Sequence, residues 1–349
     1  MKTPELSSSA AGPQVGVRWR RRGGLRRFTV AAASWVSSVM GAAFLAVVAH
    51  AAENPPVALA GADAPTSMDV RYGPHPENAF DFWRAPATAP TPVVLYFHGS
   101  GGDKAAMRGQ PMVRDCLAAG VSFVAVNYRD VLAGATFHDV LRECARALQF
   151  LRANAATWNI DPARVAVCGD SFGATTSLWL AFHDDLADPD SPDPVLRQSS
   201  RPACAGANSG QVSFDPERWV EVFGKETVDR FFDSYKDGAY KNPRLWGLST
   251  EEELRGPEGK KRRADCDVVA LISKDDPPVF LTARRPDALT SANEFVHHPK
   301  LSRAIYARCR EVGAPVTAEI PALGIHPSAD EPPTWRALMF RVLKVTPAP

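Results

Sequence analysis

From Ser67 onward the chain alternates between short apolar runs and stretches with helical spacing of apolar positions. SMDVRYG (67–73) and NAFDFWRA (78–85) read as two short strands around a Pro-rich turn. TPVVLYFHGSGG (91–102) is a continuous apolar run that ends in glycines, the pattern of a strand buried on both faces. VSFVAVNYRD (121–130) and RVAVCGDS (164–171) repeat that pattern, and ACAGANSG (203–210), PPVFLTA (277–283) and PVTAEIPA (315–322) continue it. Between them lie helical stretches. Residues 104–119 are one, and 138–156 are another, with Leu141, Cys144, Ala145, Leu148 and Leu151 on one face. TTSLWLAF follows Ser171, and LSRAIYARCREV runs to Gly313, a good helix stop. TWRALMFRVL is the last, with Thr334 as its N-cap.

Strand–helix alternation of this length predicts an α/β fold: a mostly parallel central sheet with helices on both faces. The stretch from about 215 to 266 breaks the rhythm. It is polar, dotted with aromatics and helical in pattern, and reads as a small cap inserted over the sheet. Trp219, Phe223, Phe231, Phe232, Tyr235 and Trp246 could wall a site there or simply pack a core. The run Lys260–Arg263 reads as a solvated loop.

With 349 residues there is ample material for a large core, and 45% hydrophobic against 23% charged residues is ordinary for a globular protein. A net charge of +1 gives no reason to expect a nucleic-acid partner. The N-terminus departs from this balance. RWRRRGGLRR (18–27) is strongly basic, Phe28 to Ala49 is mostly apolar, and Ala49-His50-Ala51 is a small-x-small site. This is the layout of an export signal over residues 1–51, with an uncleaved membrane anchor as the other reading. Arg26-Arg27-Phe28 loosely resembles a twin-arginine signal. Residues 52–66 read as a linker, and 67–349 as the folded domain. The expected location is therefore periplasmic or extracellular, with membrane contact only if the segment stays attached. Six cysteines lack CxxC spacing, so neither zinc nor a redox motif is expected, and Cys144 and Cys168 read as small core hydrophobes.

The candidate chemistry centres on Gly169-Asp170-Ser171-Phe172-Gly173. A serine between a buried strand and a helix, flanked by glycines, has the layout of a nucleophile elbow. His326, in the loop after PVTAEIPA, emerges from the carboxyl edge of a late strand and is the expected base. His297 and His298 are adjacent, and neighbouring side chains rarely converge on one atom, so His326 is favoured over them. Asp287 follows PPVFLTA at the correct edge and is the expected acid. Asp275 and Asp276 precede that strand, and Asp215 is the reserve. FHGSGG (97–102) would supply oxyanion donors from the N–H groups of Ser100 and Gly101, joined by Phe172 after the nucleophile.

The order Ser171, Asp287, His326, together with FHGSGG, NYRD and IDPARVAVCGDSFGA, resembles the α/β-hydrolase superfamily and its esterase/lipase group, which includes acetyl esterases and hormone-sensitive-lipase-like enzymes. The resemblance spans roughly 68–345. Together with the N-terminal layout it implies an exported serine carboxylesterase that acts on small-molecule or polysaccharide esters through an acyl-enzyme, short acyl groups above all, with no cofactor and no metal. A peptidase or lipase on the same fold, or a non-catalytic binding protein, are the other readings. The chain departs from the group at Ser100, where a glycine is usual, in the TARRPD loop, which lacks a glycine, and at Pro327 after the histidine.

Overall fold

The computed structural model describes residues 64–232 and 242–345. The export segment (1–51) and most of the 52–66 linker lie outside the described residues. Among the described residues no helix is long and apolar enough to cross a membrane.

Eight strands form one sheet: β1 (Ser67–Arg71), β2 (Ala79–Trp83), β3 (Thr91–Phe97), β4 (Ser122–Val126), β5 (Ile160–Asp170), β6 (Cys204–Asn208), β7 (Val279–Thr282) and β8 (Val316–Glu319). Their order is β1-β2-β4-β3-β5-β6-β7-β8. β1 pairs antiparallel with β2, and β2 with β4, while every later pair is parallel. β3 and β4 are buried along nearly their whole length, and β5 is buried from Val165 to Gly169, which is why these stretches read as unbroken apolar runs rather than alternating ones.

Helices α1 (Pro111–Ala118), α2 (Phe137–Ala153), α3 (Ala155–Trp158) and α4 (Phe172–Phe182) fill the first crossovers. α5 (Pro216–Phe223), α6 (Lys225–Phe232), α7 (Glu251–Arg255) and α8 (Pro257–Asp265) make up the insertion, and α9 (Val268–Leu271) leads back to β7. α10 (Ala292–Val296) and α11 (Pro299–Val312) connect β7 to β8, and α12 (Trp335–Val342) closes the fold. Two apolar clusters lie on opposite faces of the sheet. One holds Val94, Ala125, Ala166 and Cys168 under α1 and α12; the larger holds Val93, Leu95, Val165 and Val167 with α2 and α4. α4 is buried at all eleven positions, so its apolar sequence carries no amphipathic stripe.

The insertion is core-packed. Trp219, Phe231 and Trp246 are buried, so they do not wall an open site. The side chain of Phe232 and all of Tyr235 lie outside the described residues. The basic run is not a loop. It lies in α8, where Arg262 bonds Glu258 and the Trp246 carbonyl, and Arg263 pairs with Glu217 and Asp215. Asp215 itself caps α5 through the Glu217 N–H. All six cysteines are buried and unpaired.

Candidate active site

Ser171 stands between the end of β5 and the first residue of α4, with φ 53° and ψ −115°. A non-glycine residue there is strained by roughly 1–3 kcal/mol and needs its surroundings to hold it. The flanking glycines make this turn possible. A Cβ on Gly173 would lie 2.0 Å from the Phe97 carbonyl oxygen, and one on Gly169 would lie 2.5 Å from the same atom. The ends of β3, β5 and α4 therefore meet at contacts that only glycine allows. Further bonds fix the turn. The Ser171 N–H donates to the Asn208 carbonyl (2.9 Å), and the Thr175 N–H donates to the Ser171 carbonyl (3.0 Å). Asp170 accepts from the Tyr96 hydroxyl (2.6 Å) and the Asn208 amide (2.7 Å), tying the tips of β3, β5 and β6 together.

The side chain that meets Ser171 is His297. Its Nε2 lies 2.7 Å from the serine Oγ, and its Nδ1 lies 2.8 Å from the Asn293 carbonyl oxygen. A carbonyl only accepts, so Nδ1 carries the proton and Nε2 is left bare to accept from the serine hydroxyl. That is the tautomer a general base needs. Both residues are half-buried, held but reachable.

The expected base, His326, is elsewhere. The loop after β8 is closed by Ile320 and Ile325, which bond each other's backbone, with Gly324 left-handed between them. This tight return sets the His326 Nδ1 3.3 Å from Glu319, at the end of its own strand, and leaves its side chain 56% exposed. Asp287 does emerge beyond β7, but its carboxylate lies against the neighbouring histidine, 3.2 Å from the His298 Nε2 and 3.8 Å from the Lys300 ammonium. The approach to His298 is too bent for a well-formed hydrogen bond, so it is a charge–dipole contact. His298 caps α11 by accepting the Lys300 N–H, and burial pushes its imidazole below the ordinary histidine range. Asp276 pairs with Arg201 and takes no part.

The divergence of adjacent side chains resolves the pair. His297 faces the serine while His298 turns inward to cap the next helix. The signal in the sequence was His-His-Pro at a helix start, where Pro299 occupies the first turn.

The glycine turn after β3 lies over the serine, since a Cβ on Gly99 would sit 3.3 Å from the Ser171 Cβ. Gly101 is not available as an oxyanion donor, because its N–H is taken by the Asp130 carboxylate. The Gly102 N–H donates to the Gly99 carbonyl. The Ser100 and Phe172 N–H groups have no acceptor among the described residues. Phe172 opens α4, where the helix dipole adds positive potential. Its ring is locked by stacking on Phe214, 4.6 Å between centroids.

A second polar cluster lies where the insertion meets the body. Asp265 at the end of α8 accepts from His138 (3.1 Å) and His183 (2.9 Å), and Cys266 lies 3.7 Å from the His138 Nε2. The atoms of His138, Asp265 and Cys266 are near enough to surround an ion. However, the His183 Nδ1 already faces the Asp184 carbonyl, so a protonated His183 and a His138 with its proton on Nε2 satisfy the carboxylate without one.

The mostly parallel sheet, the strained serine between β5 and α4 and the histidine upon it define an α/β-hydrolase. The BD-FAE family model matches residues 81–294, more than half of the chain, and the chain belongs to that family. Among curated proteins it is 25% identical over 234 residues to "Probable carboxylic ester hydrolase LipM" of Mycobacterium tuberculosis, covering 65% of this chain and 49% of that one. It is 26% identical over 181 residues to the carboxylesterase NlhH of the same species, covering 51% and 52%. The chain thus spans about half the length of these relatives. Among solved structures, a truncated carbohydrate esterase from gut microbiota matches with TM-score 0.51 at 18% identity, over 73% of this chain and 87% of that one. A bifunctional GH43-CE protein of Bacteroides eggerthii matches with TM-score 0.52 at 15% identity, over 79% and 37%. At these identities the structural likeness is one of fold.

Proposed function

We propose that the protein is a serine carboxylic ester hydrolase with Ser171 as nucleophile and His297 as general base. The observation that carries this reading is the 2.7 Å contact from the His297 Nε2 to the Ser171 Oγ, with Nδ1 held by a carbonyl. The names of the matched relatives, LipM and NlhH, support ester hydrolysis.

In this reading Ser171 attacks the ester carbonyl and its proton passes to the His297 Nε2. The oxyanion of the tetrahedral intermediate is met by the Ser100 and Phe172 N–H groups. The imidazolium then protonates the departing alcohol, leaving an acyl-enzyme. Water attacks that ester with His297 again as base, and the acid is released. The substrates are short-chain acyl esters of small molecules or polysaccharides. The basic and apolar N-terminal layout supports export of the chain.

The test is hydrolysis of p-nitrophenyl acetate, butyrate and octanoate by the wild type, Ser171→Ala and His297→Ala. Turnover that falls with acyl length, and falls at least about a thousandfold in both variants, is expected. A folded wild type inert on all three esters would overturn the reading.

A further inference from the structure

The nucleophile and the base lie far apart in the chain and are carried by different elements, α4 and the α10–α11 connection. A buried side chain joins the two. Gln211 lies three residues beyond β6 and is 7% exposed. Its backbone N–H donates to the Thr175 Oγ1 (2.8 Å), and the Thr175 hydroxyl donates to its Oε1 (2.5 Å). On the other side its Nε2 donates to the Val296 carbonyl (3.0 Å) and to the Ser209 carbonyl (3.3 Å).

The network fixes which way the amide points. Two carbonyls can only accept, so the amide nitrogen must face them and the oxygen must face the hydroxyl. Thr175 is one turn along α4 from Ser171 and bonds its carbonyl through the backbone. Val296 immediately precedes His297. Gln211 thus spans from the nucleophile's helix to the backbone of the base through hydrogen bonds shielded from water, where directional bonds hold geometry best.

We propose that Gln211 is a positioning residue: through Thr175 and the Val296 carbonyl it holds the His297 Nε2 in register with the Ser171 Oγ. This rests on the reading of those two residues as nucleophile and base. A base displaced by about 1 Å loses on the order of a hundredfold in rate. Substrate binding does not pass through Gln211, so the loss falls on kcat.

The test uses Gln211→Leu, which keeps bulk and the backbone N–H bond to Thr175 but loses every side-chain bond, and Gln211→Glu, which can still accept from Thr175 but as a carboxylate has no proton to donate to Val296. Each is made in the wild type and in His297→Ala, and assayed on p-nitrophenyl acetate below its melting temperature. The expected result is a fall in kcat of about 10- to 100-fold with KM within about twofold. In the His297→Ala background the same changes should alter the residual rate by less than about twofold, since the group they position is gone. Thr175→Val should reproduce the loss and Thr175→Ser should restore most of it, which keeps the test open if Gln211→Leu fails to fold. Wild-type kcat in Gln211→Leu or Gln211→Glu, or an equal loss in both backgrounds, would overturn the inference. If His297→Ala itself keeps the full rate, the parent reading fails and takes the inference with it. If His297→Ala is inactive while the Gln211 variants are not, only the inference fails.

Discussion

The imidazole of His297 lies 2.7 Å from the hydroxyl of Ser171 across 126 positions of chain. That contact sets the serine's partner, and it separates two histidines that a sequence reading ranks the other way round. His297→Ala should lower kcat/KM for p-nitrophenyl acetate at least about a thousandfold, as removal of a general base does. His326→Ala, which removes only an exposed partner of Glu319, should stay within about threefold. The reverse ranking would show that the loop after β8 supplies the base during turnover.

The turn at Ser171 stores backbone strain. Ser171 holds a positive φ with a Cβ in place, at a cost of roughly 1–3 kcal/mol. Ser171→Gly should be more stable than Ser171→Ala by about 1–2 kcal/mol in urea unfolding, with both inactive. Equal midpoints would mean that the turn is relaxed.

Gly173 tests the close approach beneath that turn. A methyl group there meets backbone on β3, which has no room to yield. Gly173→Ala should cost about 3 kcal/mol or more and weaken activity by moving the serine. A wild-type urea midpoint would contradict the packing described at the β3–α4 contact.

His297 is also mounted on aromatic packing from the insertion. Phe295, two residues before His297, has its ring centroid 5.1 Å from Trp219, 4.9 Å from Phe223 and 5.2 Å from Phe231. Phe295→Ala should destabilise by about 3–5 kcal/mol and lower kcat more than it changes KM. An unchanged kcat below the melting temperature would show that the base is held without the insertion.

The His138–Asp265–His183 cluster makes the junction of insertion and body pH-dependent. Burial pulls the His183 pKa down, but hydrogen bonds to Asp265 and the Asp184 carbonyl, and the Asp265 charge, leave it raised. Hydrogen bonds from His138 and His183 hold the Asp265 carboxyl well below the usual carboxylate range. A raised histidine stabilises fully below its unfolded pKa of about 6.5 and loses that contribution as pH rises through the folded value. A lowered carboxyl stabilises above its unfolded value of about 3.9 and loses that as pH falls through the folded one. The stability gap between wild type and Asp265→Asn should therefore be widest between about pH 4 and 6.5 and narrow on both sides. Calorimetric unfolding across pH 3–9 checks this, and a flat gap would remove the charge pairing from the account.

The sequence by itself determined the sheet and the elbow. Each buried parallel strand announces itself as an apolar run: β3, β4, β6, β7 and β8 lie within runs read that way, and β5 does from Arg164 on, because burial on both faces removes the need for polar positions, while its more exposed start at Asp161–Ala163 lies outside the run. Ser171 was legible for a related reason. Its constraints are local: two glycines that no side chain can replace, a strand before and a helix after. The histidine was not legible, because its position depends on how two connections pack. The loop after β8 folds tightly onto its own strand, while the α10–α11 connection is carried over the serine by Phe295, Gln211 and the insertion. Asp287 was placed at the correct edge of the sheet, yet which of two adjacent histidines it meets depends on the turn at Pro299. The aromatics of the insertion carry the same lesson. Their composition suits a wall as well as a core, the core being the commoner outcome, and the burial of Phe295 among them made them a core. Periodicity records what a segment does to its own backbone and to the nearest layer. Which loop reaches over the edge of the sheet is set by long-range packing that no local pattern encodes.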